Sequence, residues 1–241
     1  MNLYPTFAVT ANRLLGMAFS LLLAPMAAQA QSMFDASGSV GIHEVGLIKT
    51  TREFSAPLHY NGRALVKSGN QPPAVVAASV HYEKGVEVLQ YGKRYLEVGL
   101  SVLSESQDGI DSEYSALFYY DPKTFELMRS VDDDEVTIYT YDPSRPKRIK
   151  PGERVLMATF LTKDLNDMVQ EEGKLYRSLR ESTTRRGAWN FCELEESYPI
   201  SGDEISVTES CEILNINGVV LGYTMRRVSQ PGNEIFEFVS D

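Results

Sequence analysis

Apolar and polar residues alternate along most of this 241-residue chain, and a period of two marks a strand that buries one of its faces. The clearest case is Arg94 to Leu103, RYLEVGLSVL, where Leu96, Val98, Leu100 and Val102 share a face. Ahead of it, Val75 to Tyr82 and Val86 to Tyr91 are separated by Glu83-Lys84-Gly85, and Gly92-Lys93 follows. Three short strands joined by tight turns make an antiparallel meander. Further strands are expected at 115–120, 124–129, 135–141, 154–161, 187–195, 204–214, 218–228 and 234–239, with a first at 40–49 and a weaker one at 63–67. Tyr120-Asp121-Pro122 and Tyr141-Asp142-Pro143 place aspartate before a proline whose fixed φ suits a turn.

One segment reads differently. Between Thr162 and Arg180, Leu165, Met168, Val169, Leu175, Tyr176 and Leu179 fall mostly on one face at helical spacing. Asp164 and Asp167 near the start and Arg177 and Arg180 near the end complement a helix dipole. The expected fold is therefore mainly β: a single antiparallel β domain of about 10–12 strands, closed as a barrel, half-closed, or split into a sandwich. One amphipathic helix near 163–180 would pack against it.

The N-terminus carries an address. Arg13 precedes an apolar run from Leu14 to Ala24, and Ala28-Gln29-Ala30 supplies small residues for a signal peptidase. The run is too short for a spanning helix, which needs about 20 residues. Residues 1–30 read as a cleaved secretory signal peptide and 31–241 as the mature domain. Gln31 and Ser32 follow the expected cut, so a lipid anchor is not expected, nor is a transmembrane anchor after cleavage. The expected location is the periplasm or the secreted medium.

That compartment gives the two cysteines their meaning. In an oxidising space Cys192 and Cys211 read as a disulfide. The turn Ser201-Gly202 lies midway between them, which places them opposite each other in a hairpin spanning about 187–214. Counting outward from a two-residue turn makes them a hydrogen-bonded pair with Cα atoms ~5.5 Å apart; a four-residue turn reverses that phase but demands a donor from Pro199, which leaves a bulge as the alternative.

The formal net charge is −10, which disfavours nucleic acid and anionic surfaces as partners. The charges are unevenly spread. Residues 31–142 and 187–241 are strongly acidic, whereas 143–186 is basic. Either the basic stretch folds against its acidic flanks, or Arg145, Lys147, Arg148, Lys150 and Arg154 form a contact patch.

Local catalytic motifs are missing from the sequence. There is no Gly-x-Ser-x-Gly elbow, no phosphate-binding glycine loop and no dinucleotide fingerprint. His43, His59 and His81 show no ligand spacing and read as structural or surface residues. Asp108, Asp111 and Glu113, and the run Asp132, Asp133, Asp134, are candidate calcium ligands without the spacing of an EF-hand loop. Glu193, Glu195 and Glu196 read as a solvated hairpin face. No cofactor is expected. The functional expectation is an exported cell-envelope binding or accessory protein that engages a lipid, glycan or protein partner. The alternatives are an exported hydrolase with a site assembled across strands, or an inhibitor-like protein that meets a basic partner.

Overall fold

The computed structural model describes residues 32–42, 56–67, 69–105, 112–200, 202, 205–230 and 234–241. The proposed signal segment, His43, Asp108 and Asp111 lie outside the described residues. The strands are β1 (Val40–Gly41), β2 (Leu58–Lys67), β3 (Ala74–Tyr82), β4 (Val86–Gln90), β5 (Lys93–Ser104), β6 (Ser112–Tyr120), β7 (Leu127–Asp132) and β8 (Glu135–Tyr141). They continue with β9 (Arg148–Ile149), β10 (Arg154–Asp164), β11 (Val169–Glu181), β12 (Trp189–Pro199), β13 (Ile205–Leu214), β14 (Val220–Gln230) and β15 (Glu234–Ser240). Of the strand expected at 40–49, only β1 falls within the described residues.

These strands form a closed antiparallel barrel of twelve. Around the wall the order is β3, β2, β15, β14, β13, β12, β11, β10, β8, β7, β6, β5, and β5 pairs back onto β3. Two pairings complete the ring: Ala64 opposite Phe238 joins β2 to β15, and Val80 opposite Val102 joins β3 to β5. β4 continues along the edge of β5 that β3 uses, with Val88 opposite Tyr95. Closure satisfies the backbone donors and acceptors that an open sheet leaves bare at its edges.

The helix expected near 163–180 is absent: its residues form the β10–β11 hairpin. Two of the residues that created the helical stripe, Leu165 and Met168, lie in the turn and are exposed. Asp164 does not cap a helix. Its Oδ1 accepts hydrogen bonds from the amides of Asn166 and Met168 at 2.9 Å each, which fixes the turn. Along β11 the burial runs with period two, with Leu175, Arg177 and Leu179 directed inward. Gly173, unfavourable in a helix, sits beneath the ring of Phe160.

One end of the barrel is capped by the segment before β1. Phe34 packs edge-on against Trp189 with ring centroids 4.9 Å apart. Val40, Ile42 and Ile149 are completely buried. β1 pairs with β9 in the long connection between β8 and β10, and the Ile42 amide donates to the Lys147 carbonyl at 3.0 Å. Asp35 accepts from the Ser37 hydroxyl and from the Ser37 and Ser39 amides. Those donors, with Arg148 at 3.0 Å, pull its pKa down to about 2.

Cys192 and Cys211 are bonded and directly opposite each other in the β12–β13 ladder. Their Cα atoms are 4.0 Å apart, closer than the ~5.5 Å of a hydrogen-bonded pair and matching the phase of a non-hydrogen-bonded one. The two cysteines thus pair where the sequence places them, in the phase that differs from a simple two-residue turn.

A two-walled lumen as the candidate functional site

Alternation along each strand sends every second side chain into the barrel. Those side chains do not fill it. A cavity of about 390 Å³ remains, walled by β2, β3, β5–β8 and β10–β15.

Its walls differ in chemistry. β3, β5 and β6 contribute Tyr82, Leu100, Val102, Tyr114, Phe118 and Tyr120. β11, β12 and β13 contribute Glu171, Glu193, Glu195 and Glu212 with Ser197, Ser206, Thr208 and Ser210. In the ring of twelve, β12 is six places from β5 and β13 is six places from β6. The aromatic wall therefore faces the acidic wall across the lumen. Glu113, Asp132 and Glu135 also line it, so among the described residues seven carboxylates border the cavity.

Cations are fewer. Arg227 lines the cavity and is still exposed, which shows that solvent reaches it. Arg177, 1% exposed, lies in the wall and donates from Nε and Nη2 to Glu193 Oε1. Glu193 is thereby held with an ion-pair partner. Glu195, two residues along the same strand, lacks one: its Oε1 accepts from the Tyr139 hydroxyl at 2.7 Å, and Oε2 takes no hydrogen bond from any described residue. Desolvation is the main cause that raises its pKa to about 7; neighbouring Glu193 adds to it, and Tyr139 and Arg227 oppose it. Burial raises Asp132 and Glu135 as well.

The tyrosines are tied together. Tyr82 donates to the Tyr223 hydroxyl at 3.0 Å, and Tyr60 stacks on Tyr223 with centroids 5.2 Å apart. Burial pushes the Tyr223 phenol up to about 12, so these hydroxyls stay neutral donors.

The residues singled out from sequence are scattered. Glu193 and Glu195 face the lumen and do not belong to a solvated hairpin face, whereas Glu196 lies outside, 2.5 Å from Arg154. Glu113 and Asp132 line the cavity, and Asp133 and Asp134 occupy the exposed β7–β8 turn. The basic stretch pairs with its flanks: Arg145 with Glu126, Arg148 with Asp35, and Arg154 with Glu196 while stacked 3.8 Å over Tyr176. Lys147 and Lys150 are exposed. His59 and His81 stack on each other outside the cavity with centroids 3.9 Å apart. Among the described residues the metal-ligating side chains that converge are Cys192, Glu209 and Cys211. There the sulfurs form the disulfide and Arg180 binds both oxygens of Glu209, at 2.8 and 2.6 Å.

Comparison with known proteins returns no match: no protein-family model, no curated protein and no solved structure matches this chain.

The acids of the lumen run against the usual sequence rule. In Phe191-Cys192-Glu193-Leu194-Glu195 the usual rule sends the glutamates to water and the leucine inward. A barrel with a hollow interior reverses this rule. The available clue is Phe191, which shares its face with Glu193 and Glu195 and is completely buried.

Proposed function

We propose that this chain is an exported binding protein that holds a small ligand in the barrel lumen. The observation that carries the reading is the cavity of about 390 Å³ with one aromatic and one acidic wall. Its size falls within the range of about 300–1,000 Å³ typical of small-molecule pockets, and a few polar groups set in an apolar enclosure fix a ligand's orientation. Charged residues on the outer face agree with a barrel that stands in water. Lys174, Glu196, Glu209, Arg226 and Glu237 interrupt the places where a lipid-facing barrel needs an apolar band. The disulfide and the signal-like N-terminus agree with export.

The test is native mass spectrometry of protein recovered from its own host, beside a Thr208→Trp variant that fills the lumen. A small molecule retained by the first and absent from the folded variant is the expected outcome. Equal retention by both would place binding outside the lumen and overturn the reading.

A second reading is supported by the contrast between Glu193, held by Arg177, and Glu195, with its pKa near 7. A buried carboxyl kept protonated near neutrality beside an ion-paired carboxylate is an arrangement that acid–base hydrolysis of a glycoside uses. Turnover of aryl glycosides that disappears in Glu195→Gln would favour this reading, and a lack of turnover across pH would dismiss it.

A further inference from the structure

The charge inside the lumen is out of balance. Among the described residues seven carboxylates line it against one lining cation, Arg227, with Arg177 set into the wall beside Glu193. A low-dielectric enclosure magnifies such an excess, because water does not screen it fully. The protein relieves part of it through Tyr139, which donates to Glu195. Oε2 of Glu195 stays without a hydrogen-bond partner among the described residues.

A metal ion does not fit the spacing. Glu193 and Glu195 are alternate residues of one strand, so their Cα atoms stand about 6.5–7 Å apart. Glu171 and Glu212 lie further along neighbouring strands. Calcium ligands must converge to about 2.3–2.6 Å from one point, and no trio of lumen carboxylates does so among the described residues. A cation that approaches one or two carboxylates and covers the remaining space with carbon fits better. The opposite wall supplies the surface for that carbon: Leu100, Val102 and Phe118, with the rings of Tyr82 and Tyr120. Aromatic faces also attract cations in their own right.

Resting on the lumen reading above, we infer that the ligand is an organic amine. Its ammonium is received by Glu193 and Glu195, and its apolar part lies against Tyr82, Leu100 and Tyr120. The ammonium donates to Glu195 Oε2, and the alkyl or aryl part displaces water from the facing wall.

Three probes of equal length separate the charge from the carbon: octylamine, octanol and octanoate, titrated by calorimetry. The expected order is octylamine tighter than octanol by about tenfold or more, with octanoate not bound, as a charge-assisted hydrogen bond against like-charge repulsion requires. In Glu195→Gln the octylamine advantage falls about tenfold while octanol is unchanged. Glu193→Gln, which leaves Arg177 facing the lumen, weakens octylamine further. Melting curves confirm that each variant is folded. Octanol bound as tightly as octylamine, or octanoate bound at all, overturns the amine assignment and leaves the lumen reading standing. Failure of all three probes overturns both.

Discussion

Gly173 and Phe160 face each other directly across the β10–β11 ladder, and the phenyl ring lies so close over the glycine that a β-carbon there would overlap Cζ and Cε2. Forcing that carbon in should cost about 1–3 kcal/mol. Gly173→Ala is expected to lower Tm by several degrees, and Phe160→Leu in the same chain to recover part of the loss. Thermal melting of the two single variants and the double variant checks this. Equal melting of Gly173→Ala and the parent would show that the ring and the nearby Glu196 carbonyl both give way freely.

The same pair shows what the sequence concealed. A glycine in the middle of an apparent helix reads as a weakness, whereas in a strand it reads as a site of close approach. The helical stripe was assembled from Leu165 and Met168, which are exposed turn residues, and from strand residues that only by chance fall at helical spacing. Elsewhere the period-two pattern located the strands well, because their inward residues, such as Val98, Leu100 and Val102, are apolar and buried. The lumen is not legible in the sequence because Glu193, Glu195 and Glu212 occupy inward positions that composition alone assigns to water.

Stability should fall as pH rises through the range in which Glu195 titrates. Its folded pKa of about 7 lies above the ordinary glutamate value of 4.5. Between those values the folded chain holds a proton that the unfolded chain has released. Stability therefore declines from pH about 4.5 to about 7 and levels off beyond. Asp132 and Glu135 act with the same sign. Glu195→Gln should flatten the decline, read as Tm against pH. Parallel curves for parent and variant would place the proton elsewhere.

Reduction of the bond between Cys192 and Cys211 should destabilise the hairpin by about 3 kcal/mol on the chain-entropy account. A Cys192→Ala, Cys211→Ala double variant is expected to melt at the temperature of the reduced parent. Intact-mass measurement before and after alkylation under denaturing conditions checks that the bond is present. A parent that alkylates without reduction would contradict it.

Among the described residues Arg177 is the one buried cation, and its partner Glu193 is partly buried. Arg177→Met leaves Glu193 facing the lumen without its counter-ion, which should cost about 3–5 kcal/mol near neutral pH. Arg177→Met with Glu193→Gln should recover most of that loss. Urea unfolding of the set measures it, and additive losses in the double variant would show that the two side chains do not act as a pair.

The seam between β2 and β15 joins residues 58–67 to residues 234–240, and it bears on the order of assembly. A chain that emerges N-terminus first can build the wall strand by strand from the β5–β6 neighbourhood onward, since nearly every pairing there is between successive strands. It cannot close the ring until the last strand arrives. Until then β2 and β14 are bare edges open to pairing with another molecule, and the acidic inner face is bathed in water with its charges screened. Docking of β15 at one stroke removes both edges and encloses the carboxylates, so the hollow with its unbalanced charge comes into being only at the final step.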